Sequence, residues 1–263
     1  MLSFWTFLPP KDGFPKAKAL AEKALEIDDS LAEAHVSLAF AIFCYDWDWA
    51  AANKEFKTAI QLNPGLAHAH HWYSIFLIAM ERHEEAIIEI TKALDLDPMS
   101  LGINLSVGSA YYYMRHYDKA TEVFKKTIEM DSNFGQAHYL LARAYSMMGK
   151  NAEAVSASLI AKKQGILWAD AVLGFVYGIT GHKDKARALI QELEVLSKTR
   201  YVPPSTFAEI YGGLGEIDKV FEWVDKGFEE RETAMPYFKV MPEVDIIRSD
   251  PRYKKLLKKL KLV

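Results

Sequence analysis

Small apolar residues recur along this chain at a fixed interval. Ala52, Ala86, Ala120 and Ala154 stand 34 residues apart, and after one shortened interval the series resumes at Ala186 and Val220. Bulky residues keep the same beat: Phe56, Ile90, Phe124, Ile190 and Val224 lie four positions after members of this column, and Tyr111, Tyr145, Tyr177 and Tyr211 lie nine before. A second small column, Ala39, Ser74, Gly108, Ala142, Gly174 and Ala208, is followed three residues later by Ile42, Leu77, Tyr111, Tyr145, Tyr177 and Tyr211. Small residues let helix backbones approach and large ones fill the gaps between them. Repetition at this period predicts stacked helix-turn-helix units, each an antiparallel pair of helices A and B, and hence an all-α solenoid.

Breakers place the unit boundaries. Pro64 and Pro98 end two B helices in matching motifs, Asp131-Ser132 takes the same place in the third, and Gly149 and Gly181 mark later A-to-B turns. The predicted units are 32–66, 67–100, 101–134, 135–166, 167–200 and 201–231. Residues 1–31 form a partial repeat: Ala17, Ala21, Ala24 and the run to Asp29 suit a B helix, while its A helix would fall in ten residues ending in Pro9-Pro10. Either the Phe4-Trp5-Phe7 cluster covers that helix, or the chain is the carboxy-terminal part of something longer. The first full unit carries one extra residue in Tyr45-Asp-Trp-Asp-Trp49. Trp47 and Trp49 are expected to pack the widened turn, with a surface hot spot as the alternative.

Residues 232–263 leave the repeat. Phe238 to Ile247 is expected to be extended and apolar, and Asp250 then caps a last helix with Pro251 in its first turn. Tyr253, Leu256, Leu257 and Leu260 share one face of that helix, and five lysines occupy most of the rest. The stripe suits a lid on the last repeat better than a membrane or nucleic-acid anchor.

Composition narrows the class. Half of the 263 residues are hydrophobic, which excludes disorder. A net charge of −3 argues against wholesale nucleic-acid binding, and a net excess of positive charge is confined to the tail from Arg248. One cysteine, Cys44, cannot form an internal disulfide, and no signal-peptide pattern opens the chain, so a cytoplasmic setting is expected. No apolar run approaches the roughly 20 residues that span a bilayer, so no membrane is expected among the partners.

These columns resemble the tetratricopeptide repeat (TPR) family across nearly the whole chain. The family's Trp-x2-Leu-Gly-x2-Tyr then Ala-x3-Phe pattern is present in pieces, as His138-x2-Leu141-Ala142-x2-Tyr145 with Ala154, and Val107-Gly108-x2-Tyr111 with Ala120-x3-Phe124. The family's aromatic first column is replaced by His35, His70, Asn104, His138, Asp170 and Pro204. The resemblance implies a right-handed superhelix of about six repeats, a partial amino-terminal repeat and a capping helix. A narrower resemblance, in Asp46-Trp47-Asp48-Trp49, Tyr201-Val-Pro-Pro204, Ala208-x-Ile-Tyr211-x-Gly-Leu-Gly215 and Arg248-Ser-Asp-Pro-Arg-Tyr253, is to the repeat region ending prokaryotic multidomain signalling proteins. It implies a regulatory or assembly role and transfers no catalytic activity.

In this family the A helices line a concave groove, and the corresponding positions here include Phe40, Phe43, His71, Ile75, Leu105, Tyr112, Tyr113, Tyr139, Arg143, Trp168 and Phe175. So apolar a groove calls for an occupant. A helix or extended peptide from another protein is preferred; the chain's own ends and a second copy of it are the alternatives. Tyr112, Tyr113, Tyr139 and Arg143 are the expected anchors, so Tyr112→Glu should abolish binding with the fold intact. Relatives that clamp a terminal carboxylate use Lys and Asn where this chain has Val36, Phe40, His71 and Ile75, so that partner class is not expected.

Chemistry finds little support. His35, His70 and His138 share one repeat column, which favours a structural role, and His68 with His71 has no third ligand. Phosphate-cradling, dinucleotide and nucleophile-elbow motifs are lacking. The expectation is a protein-binding scaffold that is not an enzyme and needs no cofactor or metal. A homo-oligomeric assembly module and an anchor acting through the basic tail are the alternatives.

Overall fold

The computed structural model describes residues 8–263, so the Phe4-Trp5-Phe7 cluster lies outside the described residues. Fourteen α-helices and no strand occur among the described residues. After α1 (Pro10–Ile27) come six antiparallel pairs: α2 (Ala32–Ala41) with α3 (Trp49–Leu62), α4 (Ala67–Ala79) with α5 (His83–Leu96), and α6 (Leu101–Tyr113) with α7 (Tyr117–Met130). Then follow α8 (Gly135–Met147) with α9 (Asn151–Lys163), α10 (Ala169–Ile179) with α11 (Lys183–Leu196), and α12 (Pro204–Leu214) with α13 (Ile217–Glu229). The last helix is α14 (Pro251–Lys259).

The small columns are where the pairs touch. Ala52, Ala86, Ala120, Ala154 and Ala186 are all buried, and so are Phe56, Ile90, Phe124, Ile190 and Val224 one turn later. Gly108 shows why its column must be small: a Cβ there would sit 2.4 Å from the Phe124 ring. The departed first column has a shared use. His70 Nε2 lies 2.9 Å from the Pro64 carbonyl, His138 Nε2 lies 3.1 Å from that of Ser132, and Asn104 donates to Pro98 at 2.9 Å. Each thereby ties an A helix to the turn before it.

Helices α10 and α12 approach closely, and there Gly178 meets Gly213 backbone to backbone. A Cβ on Gly213 would fall 2.4 Å from the Phe175 carbonyl oxygen, and backbone cannot yield as a side chain can. Gly213→Ala is expected to cost about 1–3 kcal/mol, read as a lowered urea midpoint. A loss under about 0.5 kcal/mol would mean the two helices slide apart freely.

The extra residue of the first unit is absorbed by one turn of π-helix, Ile42–Asp46, after which Trp47 adopts a left-handed conformation (φ 58°) and Asp48 caps α3 by accepting from Ala51 N at 3.0 Å. Trp47 does more than fill its own turn. Its ring lies 5.1 Å from that of Phe228, and the Arg231 guanidinium stacks 4.0 Å above it. It shares a cluster with Val220, Val224, Tyr253, Leu256, Leu257 and Leu260. Trp49 Nε1 donates to the carbonyls of Leu260 and Lys261 at 3.1 and 3.0 Å. The first full unit therefore meets the last unit and α14, and the solenoid closes into a ring.

Candidate functional site

The ring is closed from inside as well. Residues after α13 turn back over the concave face instead of leaving it. The stretch expected to be extended is wound into two short 3-10 turns, Met235–Tyr237 and Pro242–Ile247, each opened by a proline at its start. Apolar side chains must be presented on one side to meet the A helices, and a wound segment does this where a strand would alternate them. Met235, Phe238, Val240, Val244 and Ile247 are buried. At about 1.5–3 kcal/mol per large apolar side chain, this wall is part of the folded core rather than a loosely held plug.

One acidic residue anchors it. Glu243 accepts hydrogen bonds from the Tyr112 hydroxyl and from Arg143 Nε, the latter at 2.7 Å, and Arg143 Nη2 lies 2.7 Å from the same oxygen, Oε1. Both charged groups are buried, and the guanidinium also stands 5.0 Å from the centre of the Tyr112 ring. Burial alone would raise the Glu243 carboxyl, but Arg143 outweighs it and holds the pKa below the usual range. At the rim, Arg115 pairs with both oxygens of Asp245 at 2.6 and 2.8 Å. Tyr237 stacks on Tyr113 with ring centres 5.7 Å apart.

Between this wall and helices α4, α6, α8, α10 and α12 remains a cavity of about 430 Å³. Of the residues expected in the groove, His71, Ile75, Leu105, Tyr113, Tyr139, Arg143, Trp168 and Phe175 line it. Tyr112 is withdrawn behind its bond to Glu243, and Phe40 and Phe43 belong to the core of the first units, Phe43 packing edge-on to Tyr237 at 5.8 Å. Tyr112→Glu is therefore no clean probe of binding. It would set a second carboxylate against Glu243 inside the protein.

His71 is buried, its Nε2 2.7 Å from the Ser106 hydroxyl, and burial with the nearby His68 pushes its pKa down to about 3, so it stays neutral. His68 accepts from Trp72 Nε1 at 2.6 Å. No group of three or more His, Cys, Asp or Glu side chains able to hold a metal occurs among the described residues. Cys44 is fully buried, and burial raises its thiol well above the ordinary value.

Two further acids line the cavity, Glu209 at a groove position of the last repeat and Glu232 beyond it. Glu209, on α12, is pushed up to about 8 by burial and by the neighbouring Glu243, against the pull of Arg143. Glu232 is buried and raised to about 7 by desolvation, although Ser205 donates to it from both backbone and side chain. Glu232 and Glu243 lie outside the repeat, where column comparison has no reference. The signal for Glu243 was a carboxylate inside an apolar run, Val240-Met-Pro-Glu-Val-Asp-Ile-Ile247.

The two raised acids set a pH dependence. In the native state they keep protons that the unfolded chain, with glutamate near 4.3, has released, so stability falls as pH rises from about 4.5 through about 8. Glu243, held low, acts in the opposite sense and stability is lost as pH drops below about 4.5. The melting temperature should be higher at about pH 6 than at about pH 9, and Glu209→Gln should flatten that decline. An unchanged slope in the variant would remove Glu209 from this account.

Comparison with known proteins agrees with this architecture. Models described as "Tetratricopeptide repeat" match residues 67–98 and 101–134, and a further one matches 123–156. Residues 67–98 and 101–156 thus carry tetratricopeptide repeats. Among curated relatives, the type IV pilus assembly protein PilF of Pseudomonas aeruginosa is 30% identical over 120 residues, covering 45% of this chain and 47% of that protein. The mouse interferon-induced protein with tetratricopeptide repeats 2 is 28% identical over 134 residues, covering 49% of this chain and 28% of the relative. The chain thus spans less than half the length of these relatives. Solved structures share the fold: P. aeruginosa PilF superposes with a TM-score of 0.57 at 21% identity, covering 78% of this chain and 91% of that one. The Cut9–Hcn1 hetero-tetramer of the APC/C gives a TM-score of 0.67 at 14% identity over 97% of this chain and 47% of that one. TPR proteins generally mediate protein–protein interaction, and no helix among the described residues is long and apolar enough to cross a membrane.

Proposed function

We propose that this TPR protein is a non-catalytic scaffold for regulation or complex assembly that receives part of a protein partner on its concave face, at the rim of the cavity. The observation that carries the reading is the mouth itself: His68 is exposed, and Gln136, Tyr139 and Trp168 are half-buried around an aromatic-walled space that the return segment leaves unfilled. Tyr and Trp offer large rigid contact area at low entropic cost, which is what interface anchors require. Partner entry at the rim also spares residues 235–247, whose removal would expose core. The word "assembly" in the name of the P. aeruginosa relative favours the assembly form of the proposal.

A photo-activatable cross-linker placed at Gln136, with a control at Glu122 on the outer face of α7, tests this in cells of the source organism. The expected result is a protein cross-linked from Gln136 alone and lost in a Tyr139→Ala, Trp168→Ala variant of unchanged circular dichroism. The same products from both positions, or none from Gln136, would refute concave-face binding.

A further inference from the structure

We propose that this cavity binds an organic cation, an ammonium group carried on an apolar body, with the ammonium received between Glu209 and Glu243. Acidic groups outnumber basic ones around the cavity. Three carboxylates, Glu209, Glu232 and Glu243, line the cavity against the single guanidinium of Arg143. Glu232 is satisfied by Ser205. Arg143 donates from Nε to one oxygen of Glu243, its Nη2 stands 2.7 Å from that same oxygen without a hydrogen bond, and the other oxygen, Oε2, is buried with no hydrogen-bond partner. Glu209 has no hydrogen bond or ion pair among the described residues, and the two histidines on the wall have pKa values depressed by burial, so neither offers it a counter-charge.

Leaving the buried Oε2 of Glu243 unpaired is costly, and with the half-buried Glu209 carboxyl beside it the missing partner is a cation that donates hydrogen bonds. An anion would face two acids; an uncharged ligand would leave Glu243 Oε2 without a charged donor. The rest of the wall suits the rest of such a ligand. Tyr113, Tyr139, Phe175 and Phe238 present aromatic surface, and ring faces attract ammonium groups as well as apolar chains. A cavity of about 430 Å³ falls in the range that takes small ligands. The groups facing Glu209 are Arg143 from α8, Tyr113 from α6, Tyr139 from α8 and Glu243 from the return segment. Because Glu209 is raised by burial and by Glu243, an arriving ammonium displaces its proton.

Calorimetric titration of the full chain with hexylamine, hexanol and hexanoate tests the proposal. Hexylamine should bind once per chain, about ten-fold or more tighter than either control, and more tightly at about pH 8.5 than at about pH 6.5, with proton release. Glu209→Gln should weaken hexylamine about ten-fold and leave hexanol unchanged. If that variant melts early, Tyr139→Leu, which removes a ring face and keeps every acid, should still weaken hexylamine several-fold. Equal binding of hexanol or hexanoate, no saturable heat with hexylamine, or an unchanged affinity in both variants would overturn it. A lysine side chain of a docked protein would bring the same chemistry as a free amine. Nα-acetyl-lysine methylamide binding more tightly than hexylamine would identify the protein source, and weaker binding the free amine.

Discussion

Glu243→Ala is expected to destabilise the protein by about 3–5 kcal/mol, because it strands Arg143 in the interior without its counter-charge. Arg143 is only 6% exposed and Tyr112, whose hydroxyl would lose its acceptor, is 1% exposed, so neither can turn to water without opening the groove. The wall itself would loosen, since Glu243 is the buried charged tie between the return segment and α8, with the exposed Arg115–Asp245 pair beside it at the rim. Replacing both partners by apolar residues of similar size, Arg143→Met with Glu243→Leu, should recover most of the loss. Removing a pair avoids the orphaned charge that removing one partner creates. Urea unfolding of the two single variants and the double variant measures this. A loss under about 1 kcal/mol for Glu243→Ala would show that water reaches Arg143 and that the wall is not a fixed part of the fold.

Trp47→Ala is expected to cost about 3–5 kcal/mol, and the location of the damage matters more than its size. In an open solenoid each repeat feels only its neighbours, so a lesion in the turn between α2 and α3 would weaken α1 to α4 alone. Here Trp47 packs on Phe228, carries Arg231 and joins the cluster under α14. Hydrogen exchange should therefore show protection falling together in α2, α3, α13 and α14, while α6 to α9 keep theirs. Loss confined to the first units would show that the ring opens without cost.

Much of the fold was legible because a repeat states its packing rule many times. Ala86 and Gly108 each occupy a column in which only a small residue fits, and their burial follows from the period without reference to any distant part of the chain. The groove positions were legible by the same logic. His71, Leu105, Tyr139 and Phe175 do converge on one cavity, since helices stacked in register present equivalent positions side by side. Tyr112 shows the limit of that logic: its column places it on the concave face, while what it touches there, Glu243, lies 131 residues away.

Local periodicity, then, determined the helices, their pairing and the concave surface, because contacts between neighbouring repeats are short-range and recur. Only the tertiary structure decided that this surface is walled by the chain's own residues 235–247, that Trp47 closes the ring, and that Glu209 and Glu243 share one buried space. Those contacts join segments outside the repeat to segments within it. No period relates them, and they exist only because the superhelical curvature brings the two ends of the solenoid together.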